Sequence, residues 1–217
     1  MMEFFNTIVS FYRDGGAFMH PILLVGAIGA AIMIERSIKL ARVGTANRKM
    51  WTQLHPVLVT RDFEKAREMT AGDKSTISEI LNLGLERQGA VRRRDDIEIA
   101  MEEGMMEIIP QLEKRTGYIA LFANVATLLG LLGTIIGLIQ AFNAVAKANP
   151  ADKAELLSAS ISVAMNTTAF GLIVAVPLLI AHSYLNSKTG EIIDSLEMAS
   201  VKTLNIIVSA VTTRLPK

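Results

Sequence analysis

Residues 117–146 read GYIALFANVATLLGLLGTIIGLIQAFNAVA and contain no Asp, Glu, Lys or Arg. Two other windows, residues 15–34 and residues 156–187, are equally free of these four residue types. The hydrocarbon core of a bilayer is about 30 Å thick, and about 20 helical residues cross it. Each window is long enough, so the sequence predicts an all-α integral membrane protein with three transmembrane helices, in contact with the lipid bilayer.

The overall composition excludes several other classes of protein. The 217 residues are 51% hydrophobic and 20% charged, with a net charge of +1. This balance is too apolar for a disordered chain and lacks the basic excess of a nucleic-acid-binding protein. Because the chain has no cysteine, disulfides, thiol catalysis and cysteine-based zinc sites are excluded as well.

The window at 15–34 has two interpretations, a signal peptide and a retained helix. A signal peptide begins with a positively charged region, but residues 1–14 carry one Arg and two acids. The window continues into Ile34-Glu35-Arg36-Ser37-Ile38-Lys39 without a small-residue cleavage site. We therefore expect a retained transmembrane helix.

The distribution of Lys and Arg predicts the orientation, because cytoplasmic loops carry an excess of these residues. Residues 42–116 have thirteen of them and the tail after Ser187 has four, whereas the loop between the second and third windows has two. The N-terminus should therefore lie outside and the C-terminus inside. The expected order is a periplasmic amphipathic segment (1–14), transmembrane helix 1 (15–41), a cytoplasmic helical region (42–116), transmembrane helix 2 (117–146), a periplasmic loop (147–155), transmembrane helix 3 (156–187) and a cytoplasmic C-terminal helix (188–217).

Two apolar stripes predict amphipathic helices outside the membrane. We expect the first to continue into the second transmembrane window as one long helix, with a kink at Pro110, and both to pack in a cytoplasmic helical bundle. The first stripe is Ile97, Met101, Met105, Ile108 and Leu112, and the second is Ile193, Leu196, Val201, Leu204, Val208 and Val211.

Small residues in the second and third windows predict close helix packing. Gly130, Gly133 and Gly137 recur at steps of three and four residues, a spacing that lets helix backbones approach in lipid. In the third window we expect Gly171 to pack in the same way and Pro177 to kink or locally open the inner half of the helix.

Polar side chains inside the windows indicate either a lumen or helix contacts. Thr127 and Thr134 lie near each other on one face of the second window. The third window is crowded with small polar residues, which should face other helices or a water-containing lumen rather than lipid. The alternative is that each hydroxyl satisfies a carbonyl of its own helix. The crowded residues are Ser158, Ser160, Ser162, Asn166, Thr167 and Thr168.

The windows contain no carboxylate. Proton relays through membranes use buried Asp, Glu or His, so a partner should supply the acid if this chain moves protons. The sequence also has no HExxH, no phosphate-binding glycine loop with lysine and no GxSxG, which are the patterns of common enzyme sites. We therefore predict no enzymatic activity, no cofactor and no metal site.

Two motifs resemble those of a known family. Residues 129–138, LGLLGTIIGL, closely resemble the second-span motif of the ExbB/TolQ branch of the MotA/TolQ/ExbB ion-channel family. Residues 167–177, TTAFGLIVAVP, are similar to its third-span motif, and residues 34–36 to the end of its first span. The three-span plan also matches, whereas a flagellar MotA-type stator would have a fourth span.

The resemblance implies a function and a set of partners. It implies a pentamer in the bacterial inner membrane around small single-span proteins of the ExbD/TolR type, whose membrane Asp carries the proton. Thr134 and Thr168 match the family's threonines near the ion path, and Thr127, Asn166 and Thr167 are further candidates. Val163 stands where many ExbB and TolQ chains have Glu.

The leading hypothesis is a motor subunit that uses protons or sodium ions to do mechanical work on the cell envelope. It would energise TonB-type outer-membrane transport, together with a TonB/TolA-like protein. The alternatives are TolQ-like envelope maintenance, a gliding-motility motor, and a non-conducting membrane scaffold. A self-contained transporter is disfavoured because three spans hold no inverted repeat.

Overall fold

The computed structural model describes residues 11–13, 15–90 and 94–212, apart from the side chains of residues 89, 90, 211 and 212. The described chain is helical and has no strand, which confirms the all-α prediction. The predicted segment 1–14 lies outside the described residues except for 11–13, as does the side chain of Val211. The helices are α1 (Met19–Val59), α2 (Phe63–Ala71), α3 (Thr76–Ala90), α4 (Arg94–Glu113), α5 (Thr116–Lys147) and α6 (Lys153–Thr212).

Three helical segments are long and apolar enough to cross a membrane. They are Met19–Val59, Arg94–Lys147 and Lys153–Ala210, and each contains one of the charge-free windows. This confirms the prediction of three spans. The direction in which they cross stays a prediction.

The chain folds into two compact units. The apolar unit comprises residues 1–35 and 115–184, and the polar unit comprises residues 36–114 and 185–217. The helices α1 and α6 contribute residues to both units, because each extends well beyond its charge-free window.

The apolar unit buries small side chains and exposes large ones. Ala123 and Ala126 of α5 and Ala164 of α6 are fully buried, whereas Leu128 and Ile180 are 62% and 67% exposed. In water this distribution would be unfavourable, but lipid tails are as apolar as leucine, so exposing leucine to them carries no penalty.

The polar unit has a conventional hydrophobic core. The first predicted stripe is buried at four of its five positions, while Met105 is half-buried. In the tail, the stripe was only partly correct, since Val201 is 57% exposed. The buried face of α6 is rotated from the predicted one and follows steps of three and four residues along Ile192, Leu196, Ala199, Thr203, Ile207 and Ala210.

The junction between α4 and α5 differs from the expected single helix. The two helices follow each other with only Lys114 and Arg115 between them. Arg115 has a φ of 68°, a left-handed conformation that ends a helix. In the apolar unit, the Arg115 guanidinium lies 3.1 Å from each carboxylate oxygen of Glu35.

Among the residues that the structure describes, Arg36 is the most deeply buried charged residue of the polar unit, with 1% of its surface exposed. Its Nη2 donates a hydrogen bond to the carbonyl of Leu112 in the last turn of α4. The last carbonyls of a helix have no partner inside the helix and carry partial negative charge. Arg36 therefore caps the C-terminal end of α4.

We expect the Arg36→Met substitution to lower the free energy of unfolding by about 2–3 kcal/mol, because it removes a buried hydrogen bond from a charged donor. Arg87→Met removes an exposed cation of α3 and should change stability by about 0.5 kcal/mol or less. Thermal or denaturant unfolding of the detergent-solubilised full chain measures both. Equal stabilities of the two variants would contradict the capping role.

Side chains from two sources cap the N-terminal end of α3. The amide oxygen of Asn47, on α1, accepts hydrogen bonds from the Ile77 backbone N–H (3.2 Å) and the Thr76 hydroxyl (3.0 Å). Asp73 Oδ2 accepts from the Ser75 backbone N–H (3.0 Å), the Ser75 hydroxyl and the Ser78 hydroxyl (2.8 Å). The Ser75 hydroxyl, followed by that of Ser78, lowers the pKa of Asp73 against an opposing effect of burial.

The lowered pKa of Asp73 predicts a pH-dependent contribution to stability. Because the pKa is lower in the folded chain, the ionised carboxylate stabilises the fold above the unfolded pKa, near 3.8. This contribution is lost as pH falls through the folded pKa. The stability difference between the unaltered chain and Asp73→Asn should therefore be constant from neutral pH to about pH 5 and shrink below about pH 4.

Urea unfolding of both chains between pH 3 and pH 7 measures this difference. Glu64→Gln, at an exposed position of α2, is the matched control. A difference for Asp73→Asn that stays constant down to pH 3 would contradict the assignment.

Candidate functional site

The backbones of α5 and α6 touch at two glycines in the apolar unit. A Cβ atom on Gly171 would lie 2.7 Å from the Ala126 carbonyl oxygen and 3.2 Å from Gly130 Cα. A Cβ atom on Gly130 would lie 3.2 Å from Thr168 Cα. Neither helix backbone can move away locally without losing the contact, so only glycine fits at these two positions.

The same contact continues along α5 toward its C-terminal end. The Cα of Gly133 faces the side chain of Thr167, and a Cβ atom on Gly137 would lie 2.9 Å from Ala164 Cβ. Pro177 lies inside α6 at an exposed position. The three glycines of α5 therefore form a groove along which α6 packs.

Thr134 and Thr168 meet across this close contact. Their hydroxyl groups are hydrogen-bonded to each other. The Gly130 carbonyl oxygen lies 3.1 Å from the Thr134 hydroxyl and 2.9 Å from the Thr168 hydroxyl. Both side chains are half-buried, so the pair lies at the edge of the helix contact rather than sealed inside it.

The number of hydrogen atoms in this cluster limits how it can be bonded. Each threonine hydroxyl donates one hydrogen and accepts two, whereas the cluster has three contacts that each need a donor. At most two of the three contacts are hydrogen bonds at any moment. At least one lone pair on the two hydroxyls therefore stays available to accept a proton or a hydrogen bond from a further group. Rotation of a hydroxyl changes which oxygen offers this lone pair.

Thr167 points in a different direction from its neighbour Thr168. Its side chain is 2% exposed, and its hydroxyl lies 2.7 Å from the Gly15 carbonyl oxygen and 2.9 Å from that of Val163. The ring of Phe170 lies 6.5 Å from that of Phe11, measured between centroids. Thr167 therefore fastens the segment before α1 to α6.

The remaining predicted polar residues do not join the threonine pair. The Thr127 hydroxyl bonds to the Ala123 carbonyl of its own helix at 3.2 Å. Asn166 is half-buried, and Ser158 and Ser162 are exposed. Val163, which precedes the pair by about one turn, is 38% exposed.

The titratable side chains near the charge-free windows can be compared with the pattern of a metal site. Within 11–13, 15–90 and 94–212, no group of three or more His, Asp or Glu side chains could hold a metal ion. His20 lies instead against Tyr12, whose hydroxyl is 2.6 Å from His20 Nδ1.

The chain belongs to the MotA/TolQ/ExbB proton channel family, whose model matches residues 73–198. This match covers more than half of the 217 residues and includes both the glycine groove and the threonine pair. It confirms the resemblance expressed by the two span motifs. The family is one of proton channels rather than of enzymes. Membership of this chain in a channel family agrees with its three helices that are able to span a membrane.

Individual relatives extend the similarity over most of the chain. An ExbB homolog of Methanothermobacter thermautotrophicus, named a biopolymer transport protein, is 28% identical over 208 residues, which cover 91% of this chain and 70% of that protein. The biopolymer transport protein ExbB of Aquifex aeolicus is 30% identical over 111 residues, 51% of this chain and 72% of that protein. The Tol-Pal system protein TolQ of Haemophilus influenzae is 33% identical over 93 residues, 43% of this chain and 40% of that protein.

Two features of the site were not anticipated from the sequence. The Gly15 carbonyl is the partner of Thr167, and no side-chain pattern identifies a backbone acceptor. Gly26 and Gly29 of α1 face Val174 and Leu178 of α6. Their spacing of three residues is the signal that could have revealed this second helix contact.

The glycine contact predicts a sharp difference between two substitutions of the same type. Gly171→Ala places a Cβ atom against backbone and should cost about 1–3 kcal/mol of stability. Gly117→Ala, also inside a helix, has nothing within 4 Å of the added atom and should be neutral or stabilise by up to about 1 kcal/mol. Thermal unfolding in detergent compares the two, and equal stabilities would contradict the close contact.

Proposed function

We propose that the chain is a ring-forming subunit of a proton-driven motor in the bacterial inner membrane. Such a motor converts ion motive force into mechanical work on the cell envelope. The observation that carries the proposal is the Thr134–Thr168 hydroxyl pair, held at a close helix contact inside spans without charge. Family membership supports the ion-channel part of the proposal.

The proton requires an acid that the spans of this chain lack. A charged group in hydrocarbon is costly unless it is paired or neutralised, and the three windows contain no Asp or Glu. We infer that an ExbD/TolR-like single-span partner supplies a membrane Asp. In its protonated form this Asp donates to the free lone pair of the threonine pair, and in its ionised form it accepts from a rotated hydroxyl.

A ring gives this exchange a mechanical consequence. We propose that five copies surround the partner, with α5 and α6 lining the lumen and the polar unit in the cytoplasm. Each protonation removes the charge of the partner's Asp, so that the Asp can pass apolar surface to reach the next threonine pair. The candidate ion pathway is thus Thr134 and Thr168, with Thr127, Asn166 and Thr167 as weaker candidates.

The names of the relatives suggest what load the motor drives. The relative of Aquifex aeolicus named biopolymer transport protein ExbB supports the energising of TonB-type outer-membrane transport, together with a TonB-like protein. Similarity to the TolQ of Haemophilus influenzae supports a Tol-type role in envelope maintenance, together with a TolA-like protein, as the second candidate.

The proposal predicts different effects for two substitutions at one position. Thr168→Val keeps the shape of the side chain and removes the hydroxyl, so we expect proton flux to fall at least tenfold. Thr168→Ser keeps the hydroxyl and should retain most of the flux. The measurement is pH-gradient-driven proton uptake into vesicles that contain the chain and the small protein that co-purifies with it.

Two controls complete this experiment. Thr52→Val, on the polar part of α1, removes a hydroxyl that bonds to the Arg48 carbonyl of its own helix and should leave the flux unchanged. Native mass should show the same assembly for all variants. Full flux in an intact Thr168→Val assembly would exclude the pathway, and absence of any co-purifying single-span protein would favour a scaffold.

A further inference from the structure

One face of α1 in the polar unit is basic. Between Arg36 and Val59 the helix contains five Lys or Arg residues and no Asp or Glu. Lys39, Arg42 and Lys49 are exposed and follow each other at steps of three and seven residues, so they lie on one helix face. Ile38, beside them, is 47% exposed.

The helix α4 of the same unit has the opposite character. It contains seven acids and one base. Ile99 and Met106, one heptad apart, are 52% and 73% exposed, and Glu102 and Glu103 flank them on the helix surface. An apolar stripe with acidic borders therefore faces outward from α4.

A groove continues this surface toward α6. It is an open cavity of about 280 Å³ between α4 and α6, with methionine and leucine side chains in its floor and three carboxylates around it. The helix α1 contributes nothing to its lining. The floor includes Met101, Met105 and Leu204, and the carboxylates are Glu98, Glu102 and Glu197.

The two surfaces do not neutralise each other within one chain. Across the residues whose positions the structure describes, Lys39, Arg42 and Lys49 form no ion pair, and neither do Glu102 and Glu103. Glu98 pairs with Arg94 of its own helix at 3.5 Å. The basic helix packs instead on another side of α6, where Leu40, Gly44 and Ile192 line a separate groove. The acidic and basic surfaces thus belong to different sides of the polar unit.

We propose that the acidic surface of α4 and its groove bind the basic face of α1 from a second copy of this chain. Two different patches that complement each other make a head-to-tail contact, and such contacts close into a ring when the rotation between copies allows it. The inference rests on the proposed function, to which it adds the surfaces that join neighbouring subunits. Ile38 would meet the exposed Ile99 and Met106 stripe.

Anionic lipid headgroups are a poorer match for the basic face. They occupy a layer of about 5–8 Å on each side of the hydrocarbon core. Lys49 follows the end of the first charge-free window by fifteen residues, which is about 23 Å of helix. A headgroup layer can thus reach Lys39 but not Lys49, whereas a protein surface can contact all three cations.

Cysteine cross-linking tests the contact directly, because the chain has no cysteine of its own. A chain with both Arg42→Cys and Glu102→Cys, treated in membranes with a short bis-maleimide, should give a ladder of linked copies on a denaturing gel. Each single-cysteine variant should give at most a linked pair. Absence of a ladder, in an extract whose native mass shows an intact ring, would overturn the inference and leave the proposed function standing.

Charge reversal tests whether the two surfaces recognise each other. A single exposed ion pair contributes little, so three residues are reversed together. We expect K39E/R42E/K49E to lower the yield of assembled ring at least tenfold, and E98K/E102K/E103K to do the same. A chain with all six reversals should recover to within twofold of the unaltered chain.

The matched control is E64K/E68K/E79K, which reverses three exposed acids of α2 and α3 and should leave ring yield unchanged. The inference would be overturned if the basic-face variant lost ring yield and the combined variant did not recover it. That result would indicate a lipid as the ligand of the basic face, or a basic partner protein as the ligand of the acidic surface. No ring in the unaltered chain would contradict the proposed function, and the inference with it.

Discussion

The contact of two helix backbones at Gly130 and Gly171 is the constraint on which the rest of the apolar unit depends. In lipid, helices gain nothing by hiding apolar side chains from the solvent, so they associate by close packing and interhelical hydrogen bonds. Both forces act here at the same place. Because Gly130 has no side chain, α6 comes near enough for the Thr168 hydroxyl to lie 2.9 Å from the Gly130 carbonyl. A side chain at Gly130 or Gly171 would separate the helices and the two threonines with them.

The polar unit is held by a different set of interactions. Water competes for its polar groups, and its helix ends need partners that are supplied by distant parts of the sequence. Arg36 caps the last turn of α4 from α1, and Asn47, also on α1, caps the first turn of α3. The part of α1 that extends beyond the charge-free window thus supplies the side chains that cap the ends of the shorter helices α3 and α4.

Much of this arrangement could be predicted from the sequence, and the exceptions have physical causes. Charge-free windows reveal spans because their length is set by the bilayer, and glycine spacing indicates where helices pack. The break at Lys114 and Arg115 has no signal in the sequence, because the left-handed residue there is an arginine rather than a glycine. Likewise, the exposed position of Val201 follows from a rotation of α6 that an approximate stripe cannot specify.

The two adjacent threonines of α6 show why a motif alone does not assign roles. Consecutive residues of a helix point about 100° apart, so the side chains of Thr167 and Thr168 face different neighbours. Thr167 is buried and fastens the Gly15 carbonyl; a hydroxyl committed to structure in this way offers little to a passing proton. Thr168 is half-buried, and it and Thr134 together have two hydroxyl hydrogens for three contacts. One of these three contacts therefore always lacks a hydrogen. An acid of a neighbouring chain, placed at the edge of the charge-free span, can form the missing hydrogen bond.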